Sequence, residues 1–378
     1  MKKFFSLFWN YLKKSDTLLL GLCIAATVYG IVLIRTSTAY LSSSNAASVQ
    51  ILALFIGIAL YFVFSLIDID ILADNWKLLF AAGIGMLGLL VFAQEEGGNR
   101  AWLRFMGIGI QPAEIVKIFF IVIIAKLIVS FSNERRLDHI LSLGAMTGIL
   151  LIYFGMILVL SSDLGSGLVY LFIFIAMLFA GGLKIYWFLI AFAGFAIVSP
   201  YIWNSFLSDN QKNRIIAVFD PKSVDPTGLG ITWQVNQSKA AIASGGVFGQ
   251  GLGQGSMTQS GSVPKQRTDF IFSAAGEELG FVGCLAIVVL LVAIIIRCVY
   301  VGYKSQSKLG ALISVGVAAM LTFQTFENLG MCLGVAPVIG LTLPFFSSGG
   351  SSVVTSFACM GIISGIKMKP KPVMFLRR

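Results

Sequence analysis

Residues 270–296 read FIFSAAGEELGFVGCLAIVVLLVAIII, a run in which Glu277 and Glu278 are the only charged residues. As a helix, such a run is long enough to cross the hydrocarbon core of a bilayer, which takes about 20 apolar residues. Similar runs recur along nearly the whole chain of 378 residues, of which 57% are apolar and only 12% charged. Soluble proteins carry about 25% charged residues. The composition therefore excludes a soluble enzyme and predicts an all-α polytopic membrane protein.

Ten apolar spans are predicted, and together they form a single integral membrane domain over residues 1–378. Their ranges are 17–34, 48–67, 76–93, 113–131, 139–160, 165–182, 184–203, 270–296, 309–332 and 339–366. A long segment, residues 204–269, separates the seventh span from the eighth. It is polar and rich in glycine, but apolar residues such as Trp233 and Phe248 favour packed pieces over a free linker.

The distribution of cations predicts the orientation of these spans. Cytoplasmic loops of membrane proteins are enriched in Lys and Arg. With the N-terminus inside, the inner segments hold sixteen lysines and arginines, and the short outer loops hold only three. The first span follows four lysines and is longer than the core of an ordinary signal peptide. We therefore expect both termini in the cytoplasm and residues 204–269 as a long extracytoplasmic loop between helices 7 and 8.

Two other readings of the composition are excluded. The 27 Lys and Arg residues outnumber the 17 Asp and Glu residues, but topology accounts for most of the excess, so no nucleic acid partner is expected. The five cysteines show no C-x-x-C spacing, and His139 is the only histidine. Neither a disulfide framework nor a His/Cys metal site is predicted.

Carboxylates cluster at the outer ends of the predicted spans. Placing an ionisable group at membrane depth costs free energy, so such groups indicate functional sites. The six acids are Glu114, Asp163, Asp269, Glu277, Glu278 and Glu327. Asp269 follows Lys265 and Arg267 at the outer mouth of the eighth span. The structural alternative for Asp269 is a helix N-terminal acid that the macrodipole favours.

Other candidates also have structural alternatives. Glu114 and Lys117 share one helix face, so they could bind substrate or form an internal ion pair that fixes packing. Asp163 stands where the sixth span begins, and it could cap the free N–H groups there. The glycine run 245–255 lacks the Gly-Lys-Ser/Thr ending of a nucleotide-binding loop, so it indicates tight turns or close approach of the backbone.

Pro344 and the pair Gly349-Gly350 interrupt the tenth span and leave backbone groups that need protein or water partners. They predict a polar cavity that opens outward. Such a cavity suits a transporter with a midplane site or an enzyme that acts on a lipid-linked substrate. Lys126 is the only charged residue in the inner halves of the spans, so no charged path crosses the bilayer, which favours the enzyme.

Several short motifs are distributed at characteristic spacing along the chain. They include Arg100-Ala101-Trp102, Gln111-Pro112-Ala113-Glu114 with Lys117, Ser162-Asp163-Leu164-Gly165, Gln237-Ser238, Thr268-Asp269-Phe270 and Glu277-Glu278-Leu279-Gly280. With these motifs the chain resembles the SEDS proteins (shape, elongation, division and sporulation), the RodA/FtsW/SpoVE group, over nearly its full length. Residues 328–332 and 343–352 are more similar to the RodA branch of the family than to the FtsW branch. Lys265 and Arg267 replace the usual Glu and His of the family, and their charge is expected to lower the pKa of Asp269.

The resemblance implies a peptidoglycan glycosyltransferase that polymerises lipid II at the outer face of the membrane. Asp269 would be the catalytic general base, and the reaction would invert the donor sugar, because a single displacement needs no second carboxylate. Arg100 or Lys117 would assist binding of the diphosphate. The full set of implied substrate-binding residues is Arg100, Trp102, Glu114, Lys117, Asp163, Gln237, Ser238, Lys265, Arg267 and Glu277. A lipid II flippase is the alternative, and roles in elongation, division and sporulation stay open.

The resemblance also implies partners. These are lipid II, undecaprenyl-diphosphate-linked glycan, membrane lipid and a class B penicillin-binding protein whose single span would pack on the eighth and ninth spans. No cofactor is certain, although a divalent cation, Mg²⁺ or Mn²⁺, held by the outer acids could share the charge of the diphosphate. The expected location is the plasma membrane of a bacterium.

Overall fold

The fold is almost entirely helical. The computed structural model describes residues 11, 13–41, 44–95, 100–105, 108–205 and 207–369. In chain order the helices are α1 (Thr17–Ser37), α2 (Ala46–Leu66), α3 (Ile69–Asp74), α4 (Trp76–Gly88), α5 (Pro112–Asn133), α6 (Ile140–Met156), α7 (Leu164–Gly181), α8 (Ile185–Ser205), α9 (Asp209–Phe219), α10 (Pro221–Val224), α11 (Trp233–Gly245), α12 (Ser256–Ser260), α13 (Ile271–Lys304), α14 (Lys308–Leu333) and α15 (Gly350–Met368). A short antiparallel hairpin, β1 (Leu103–Phe105) and β2 (Ile108–Ile110), precedes α5.

Nine helices in the described part of the chain are long and apolar enough to span a membrane. They are α1, α2, α5, α6 with its π-helical extension Ile157–Ser161, α7, α8, α13, α14 and α15. The prediction of an all-α polytopic membrane protein is confirmed. The third predicted span, 76–93, is an apolar helix over Trp76–Phe92 whose last turn, Leu89–Phe92, is 3₁₀, and it is shorter than the nine. The tenth span is helical only from Gly350, since Pro344 and the glycines around it keep the preceding residues irregular.

The long segment between α8 and α13 is folded into four short helices, α9 to α12. The first of them begins with a capping box, in which Ser208 Oγ accepts a hydrogen bond from the Gln211 backbone and the Gln211 side chain accepts one from the Ser208 backbone. Of the two apolar residues that favoured packed pieces, Trp233 begins α11 and is 36% exposed, whereas Phe248 lies outside the helices and is 82% exposed.

Three helices, α5, α14 and α15, form the centre of the bundle. Most of their residues are buried, and α15 packs along α2 while α14 packs against α13 and α7. In contrast, α8 buries none of its residues against the rest of the protein. At its start the Trp187 indole donates to the Asp138 carbonyl oxygen at 3.2 Å, which ties this end of α8 to the chain before α6.

α13 is broken at Gly280, where φ is 67° and ψ is −161°. L-amino acids with a side chain rarely adopt this conformation. The break leaves the carbonyl oxygens of Glu277 and Glu278 without helical donors, and the glycine run 245–255 supplies them. Gln250 N donates to Glu277 O at 2.9 Å, and Gly251 N donates to Glu278 O at 2.9 Å. The glycine run is thus a close backbone packing element.

A buried ionic cluster joins four helices at the end of the bundle where α13 and α15 finish. Asp16 is fully buried, and its carboxylate lies 2.9 Å from Arg297 Nε and 3.5 Å from Lys367 Nζ. The Tyr61 hydroxyl donates to the Asp16 carbonyl oxygen at 2.8 Å. The cluster therefore links α1, α2, α13 and α15 far along the helices from Asp269.

Candidate active site

A polar cavity of about 740 Å³ opens at the end of the bundle where α1 ends and α5, α7 and α15 begin. Its walls come from helix ends, from α9 and α11, from the turn before α13 and from the irregular segment before α15. The lining residues are Ser37, Tyr40, Leu41, Ala101, Trp102, Gln111, Glu114, Asp163, Ser166, Arg214, Gln234, Lys265, Gln266, Arg267, Thr268, Asp269, Val338, Ile339, Gly340, Leu341, Thr342 and Ser348. Six of the predicted site residues are therefore brought together: Trp102, Glu114, Asp163, Lys265, Arg267 and Asp269.

Asp269 lies in a tight turn just before α13 and is only 6% exposed. The backbone N–H groups of Thr268 and Phe270 both donate to the carbonyl oxygen of Lys265, which closes the turn. Asp269 Oδ2 lies 3.3 Å from Lys265 Nζ. Burial raises the pKa of Asp269 above its usual range, and the attraction of Lys265 offsets this only in part. The expected lowering by a neighbouring charge is present at Lys265, but burial outweighs it.

Asp163 combines the two roles that its position suggested. Asp163 Oδ1 accepts a hydrogen bond from Ser166 N at 2.9 Å, and Oδ2 accepts one from Ser166 Oγ at 2.7 Å. The Gln111 side chain also donates to Oδ2, at 3.3 Å. Asp163 therefore caps α7 and lines the cavity at the same time.

Glu114 and Lys117 form the internal ion pair that their spacing allowed. Lys117 Nζ lies 2.6 Å from Glu114 Oε1, and Lys117 is fully buried. Glu114 lines the cavity, whereas Lys117 does not. The ammonium group of Lys117 thus stands behind the cavity wall, where it compensates the charge of Glu114.

Trp102 and Arg100 occupy different environments. Trp102 lines the cavity, and a Cβ atom at Gly109 of β2 would lie 3.0 Å from its ring, so the hairpin packs closely behind the indole. Arg100 is exposed, lies outside the cavity wall and pairs with Glu95 at 3.6 Å. An assisting role of Arg100 in diphosphate binding stays a prediction.

Three other predicted site residues do not line the cavity: Gln237, Ser238 and Glu277. The Ser238 hydroxyl is buried, and it donates to the Cys332 carbonyl oxygen at 2.7 Å. The Glu277 carboxylate accepts hydrogen bonds from the backbone N–H groups of Met257 and Thr258, each at 2.7 Å. These contacts give Ser238 and Glu277 a packing role, and their contribution to substrate binding stays a prediction.

Arg214 is a cavity residue that no sequence motif indicated. It lies on α9 and donates to the Val338 carbonyl oxygen at 2.8 Å, so it connects the long segment to the irregular chain before α15. The capping box at Ser208 could have revealed a helix here, but nothing local indicates which way Arg214 points. With Lys265 and Arg267 it gives the cavity wall three cations.

The described residues contain no group of three His, Cys, Asp or Glu residues that could hold a metal ion. Both carboxylate oxygens of Asp163 already accept hydrogen bonds. Mg²⁺ is commonly held by one or two carboxylates together with phosphate oxygens of the substrate. A divalent cation in this cavity would therefore rely mainly on the diphosphate, and its presence stays a prediction.

Curated relatives cover most of the chain. A probable peptidoglycan glycosyltransferase FtsW from Bacillus subtilis (strain 168) is 32% identical over 353 residues, which are 90% of this chain and 86% of the relative. The peptidoglycan glycosyltransferase MrdB from Escherichia coli (strain K12) is 32% identical over 277 residues, which are 73% of this chain and 72% of the relative.

Solved structures share the fold. A chain from a peptidoglycan synthase complex that coordinates polymerization and crosslinking superposes with a TM-score of 0.79 and 28% identity, covering 93% of this chain and 97% of that chain. The rod shape determining protein RodA from Thermus thermophilus gives a TM-score of 0.68 and 27% identity, covering 93% and 96%. The family model described as cell cycle protein, FtsW/RodA/SpoVE, matches residues 16–371. The chain belongs to the FtsW/RodA/SpoVE family of cell cycle proteins.

Proposed function

We propose that this chain is a peptidoglycan glycosyltransferase that polymerises lipid II at the outer face of the bacterial plasma membrane. The observation that carries the proposal is the buried carboxylate of Asp269 in the wall of a polar cavity with three cations. The activity named for relatives that share this fold and about a third of the residues supports it.

Asp269 acts as the general base. The hydroxyl oxygen of the acceptor sugar forms a bond to the anomeric carbon of the donor, and its proton passes to the Asp269 carboxylate. The bond between that carbon and the polyprenyl diphosphate breaks at the same time. A raised pKa suits this task, because it makes the carboxylate a stronger base.

The cavity also stabilises the negative charge of the departing diphosphate. A diphosphate is already a good leaving group, so a general acid is dispensable and stabilisation of negative charge is the main requirement. Arg214, Lys265 and Arg267 line the cavity and provide that stabilisation. At the rim, Tyr40 and Leu41 are exposed hydrophobic residues just after α1. They let the polyprenyl chain lie in the bilayer while its diphosphate enters the cavity.

The reaction inverts the anomeric centre of the donor. Retention needs a second carboxylate that forms a covalent sugar intermediate. The other carboxylates of the cavity are Asp163, whose two oxygens accept hydrogen bonds from the backbone and side chain of Ser166, and Glu114, which is paired with Lys117. We assign neither as a nucleophile, because both are engaged in these contacts. A single displacement, from an α-linked donor to a β-linked polymer, follows.

In the membrane, both termini face the cytoplasm and the cavity faces outward. A class B penicillin-binding protein packs its single span on α13 and α14. The exposed apolar side chains of α13, among them Phe281, Leu285 and Val289, suit a helix partner in the bilayer. The solved chain from a peptidoglycan synthase complex supports such an assembly.

Purified protein supplied with lipid II tests the activity and separates it from the flippase alternative. We expect glycan polymer from the parental chain, and Asp269→Asn should reduce the rate by about 10²–10⁴-fold, because it cannot accept the proton. Asp209→Asn is the control, since this exposed acid of α9 lies outside the cavity. Transfer of lipid II between leaflets without polymer, or parental polymerisation by Asp269→Asn, would contradict the proposal.

A further inference from the structure

Three consecutive carbonyl oxygens at the catalytic turn each accept a hydrogen bond from outside the turn. The Arg267 carbonyl accepts from Ser348 N at 2.8 Å, and the Thr268 carbonyl accepts from Ser347 Oγ at 2.6 Å. The Asp269 carbonyl accepts from Asn328 Nδ2 at 2.8 Å. In isolation, the turn could adopt other backbone conformations. These three contacts therefore fix the backbone position from which the Asp269 side chain extends.

Of the three donors, Asn328 is the one whose side chain also reaches the backbone that faces the Asp269 carboxylate. It is fully buried on α14, and its amide also donates to the Leu341 carbonyl oxygen at 2.7 Å. A primary amide has two N–H donors, so both are used. Leu341 and its neighbour Gly340 line the cavity, and a Cβ atom at Gly340 would lie 3.6 Å from Asp269 Oδ2. Asn328 therefore fixes the backbone of Asp269 and the wall that faces its carboxylate.

The segment before α15 is itself held in place. Ser347 Oγ accepts a hydrogen bond from Leu343 N at 2.8 Å. Gln50, fully buried on α2, donates to the Ser347 carbonyl oxygen at 2.9 Å and accepts from Gly349 N at 3.3 Å. The catalytic turn is thus attached to rigid helices on two sides, through Asn328 of α14 and through Gln50 of α2.

We propose that Asn328 is a positioning residue for the transfer reaction, which sets the Asp269 carboxylate against the acceptor hydroxyl by holding the Asp269 carbonyl and the Leu341 carbonyl together. The inference rests on the proposed function. Asn328 lies outside the cavity wall, so it acts only through Asp269 and the facing backbone. Its removal affects proton transfer, because a displacement of about 1 Å at a reacting group can reduce a rate about 10²-fold.

The first test is Asn328→Ala in the full-length purified protein with lipid II as substrate. We expect kcat to fall by about 10–100-fold while KM changes by less than about twofold. Gln259→Ala is the matched control. The Gln259 amide also donates to two elements, the Thr36 carbonyl at 3.1 Å and the Glu278 carboxylate at 2.9 Å, but it contacts neither the turn nor the cavity. Parental kcat in Asn328→Ala would overturn the inference.

A double-mutant cycle separates positioning from general loss of structure. In the Asp269→Asn background the base is absent, so Asn328→Ala should change the residual rate by less than about twofold. An equal fall in both backgrounds would show that Asn328 acts independently of Asp269 and would overturn the inference. If Asn328→Ala does not fold, Asn328→Gln replaces it, because it keeps both donors on a side chain one methylene longer. A lowered kcat at an unchanged melting temperature is then expected, and parental kcat contradicts the inference.

The same measurements distinguish this inference from the proposed function. Full activity of Asp269→Asn would remove the base assignment and the inference together. A slow Asp269→Asn with a fully active Asn328→Ala would remove only the inference.

Discussion

The ammonium group of Lys265 lies 3.3 Å from the carboxylate of Asp269, yet the pKa of Asp269 is raised. Lys265 is mostly exposed, and water weakens its field, whereas the carboxylate is almost completely buried. The like charge of Asp163 adds to the rise. Burial therefore decides the proton affinity of this group, and Lys265 moderates it.

The pH dependence of polymerisation should report this balance. The base works when it is deprotonated, so the rate should fall as pH drops through a pKa above the usual ~3.9 of aspartate. Lys265→Ala removes an attraction that lowers the pKa, so the acid limb should move to higher pH. Arg267→Ala is the control: its side chain is exposed and should leave the limb in place, whatever it does to the rate. An acid limb that Lys265→Ala leaves unchanged would contradict this assignment.

Arg214 should matter more for diphosphate binding than Arg100, because Arg214 lines the cavity and Arg100 does not. Loss of one charge-assisted contact costs about 1.5–3 kcal/mol, or about one to two decades in kcat/KM. We expect this loss for Arg214→Ala in lipid II polymerisation. The prediction that Arg100 assists binding is tested by Arg100→Ala in the same assay. A larger effect at Arg100 than at Arg214 would reverse our ranking.

The buried pair of Glu114 and Lys117 predicts a stability effect. Lys117→Met leaves the Glu114 carboxylate unpaired, which should lower the free energy of unfolding on the order of 3–5 kcal/mol. The double variant with Glu114→Gln removes both charges and should recover most of that loss. Thermal unfolding in detergent measures both variants. Equal stability of single and double variants would show that the pair is not coupled.

The break in α13 depends on the absence of a side chain at residue 280. In Gly280→Ala the new Cβ would lie 2.3 Å from Gly249 N, at a backbone conformation that alanine rarely adopts. We expect loss of the folded protein or a melting temperature several degrees lower. Gly194→Ala is the control, because no atom lies within 4 Å of a Cβ there on α8. Parental stability of Gly280→Ala would show that the glycine run does not pack into the break.

The orientation can be read from impermeant thiol labelling in intact cells. All five native cysteines are buried, which favours low background. Ser260 is exposed in the segment before α13, so a cysteine introduced by Ser260→Cys should be labelled from outside. Gln306→Cys, exposed between α13 and α14, should be labelled only after the membrane is opened. The opposite pattern would invert the topology and remove the outward-facing site.

Several features followed from local sequence alone. Long apolar runs predicted the membrane helices, because in a bilayer every backbone group must be satisfied inside its own segment. The three-residue spacing of Glu114 and Lys117 allowed their ion pair, and the place of Asp163 at a helix start predicted its cap. Each of these contacts involves residues within one or two turns of chain, so spacing is sufficient to anticipate it.

Tertiary structure alone decided which of these residues share the cavity. Ser238 and Glu277 were grouped with Asp269, but Ser238 of α11 donates to the Cys332 carbonyl and Glu277 of α13 accepts hydrogen bonds from α12, while α9 brings Arg214 to the cavity wall. The pKa of Asp269 was not evident for the same reason, because burial depends on chain segments far away in sequence, and nearby charges do not reveal it. Asn328 shows the limit most clearly. Its side-chain amide donates hydrogen bonds to residues 59 and 13 positions away in the sequence, and only the folded bundle brings those carbonyl groups within reach.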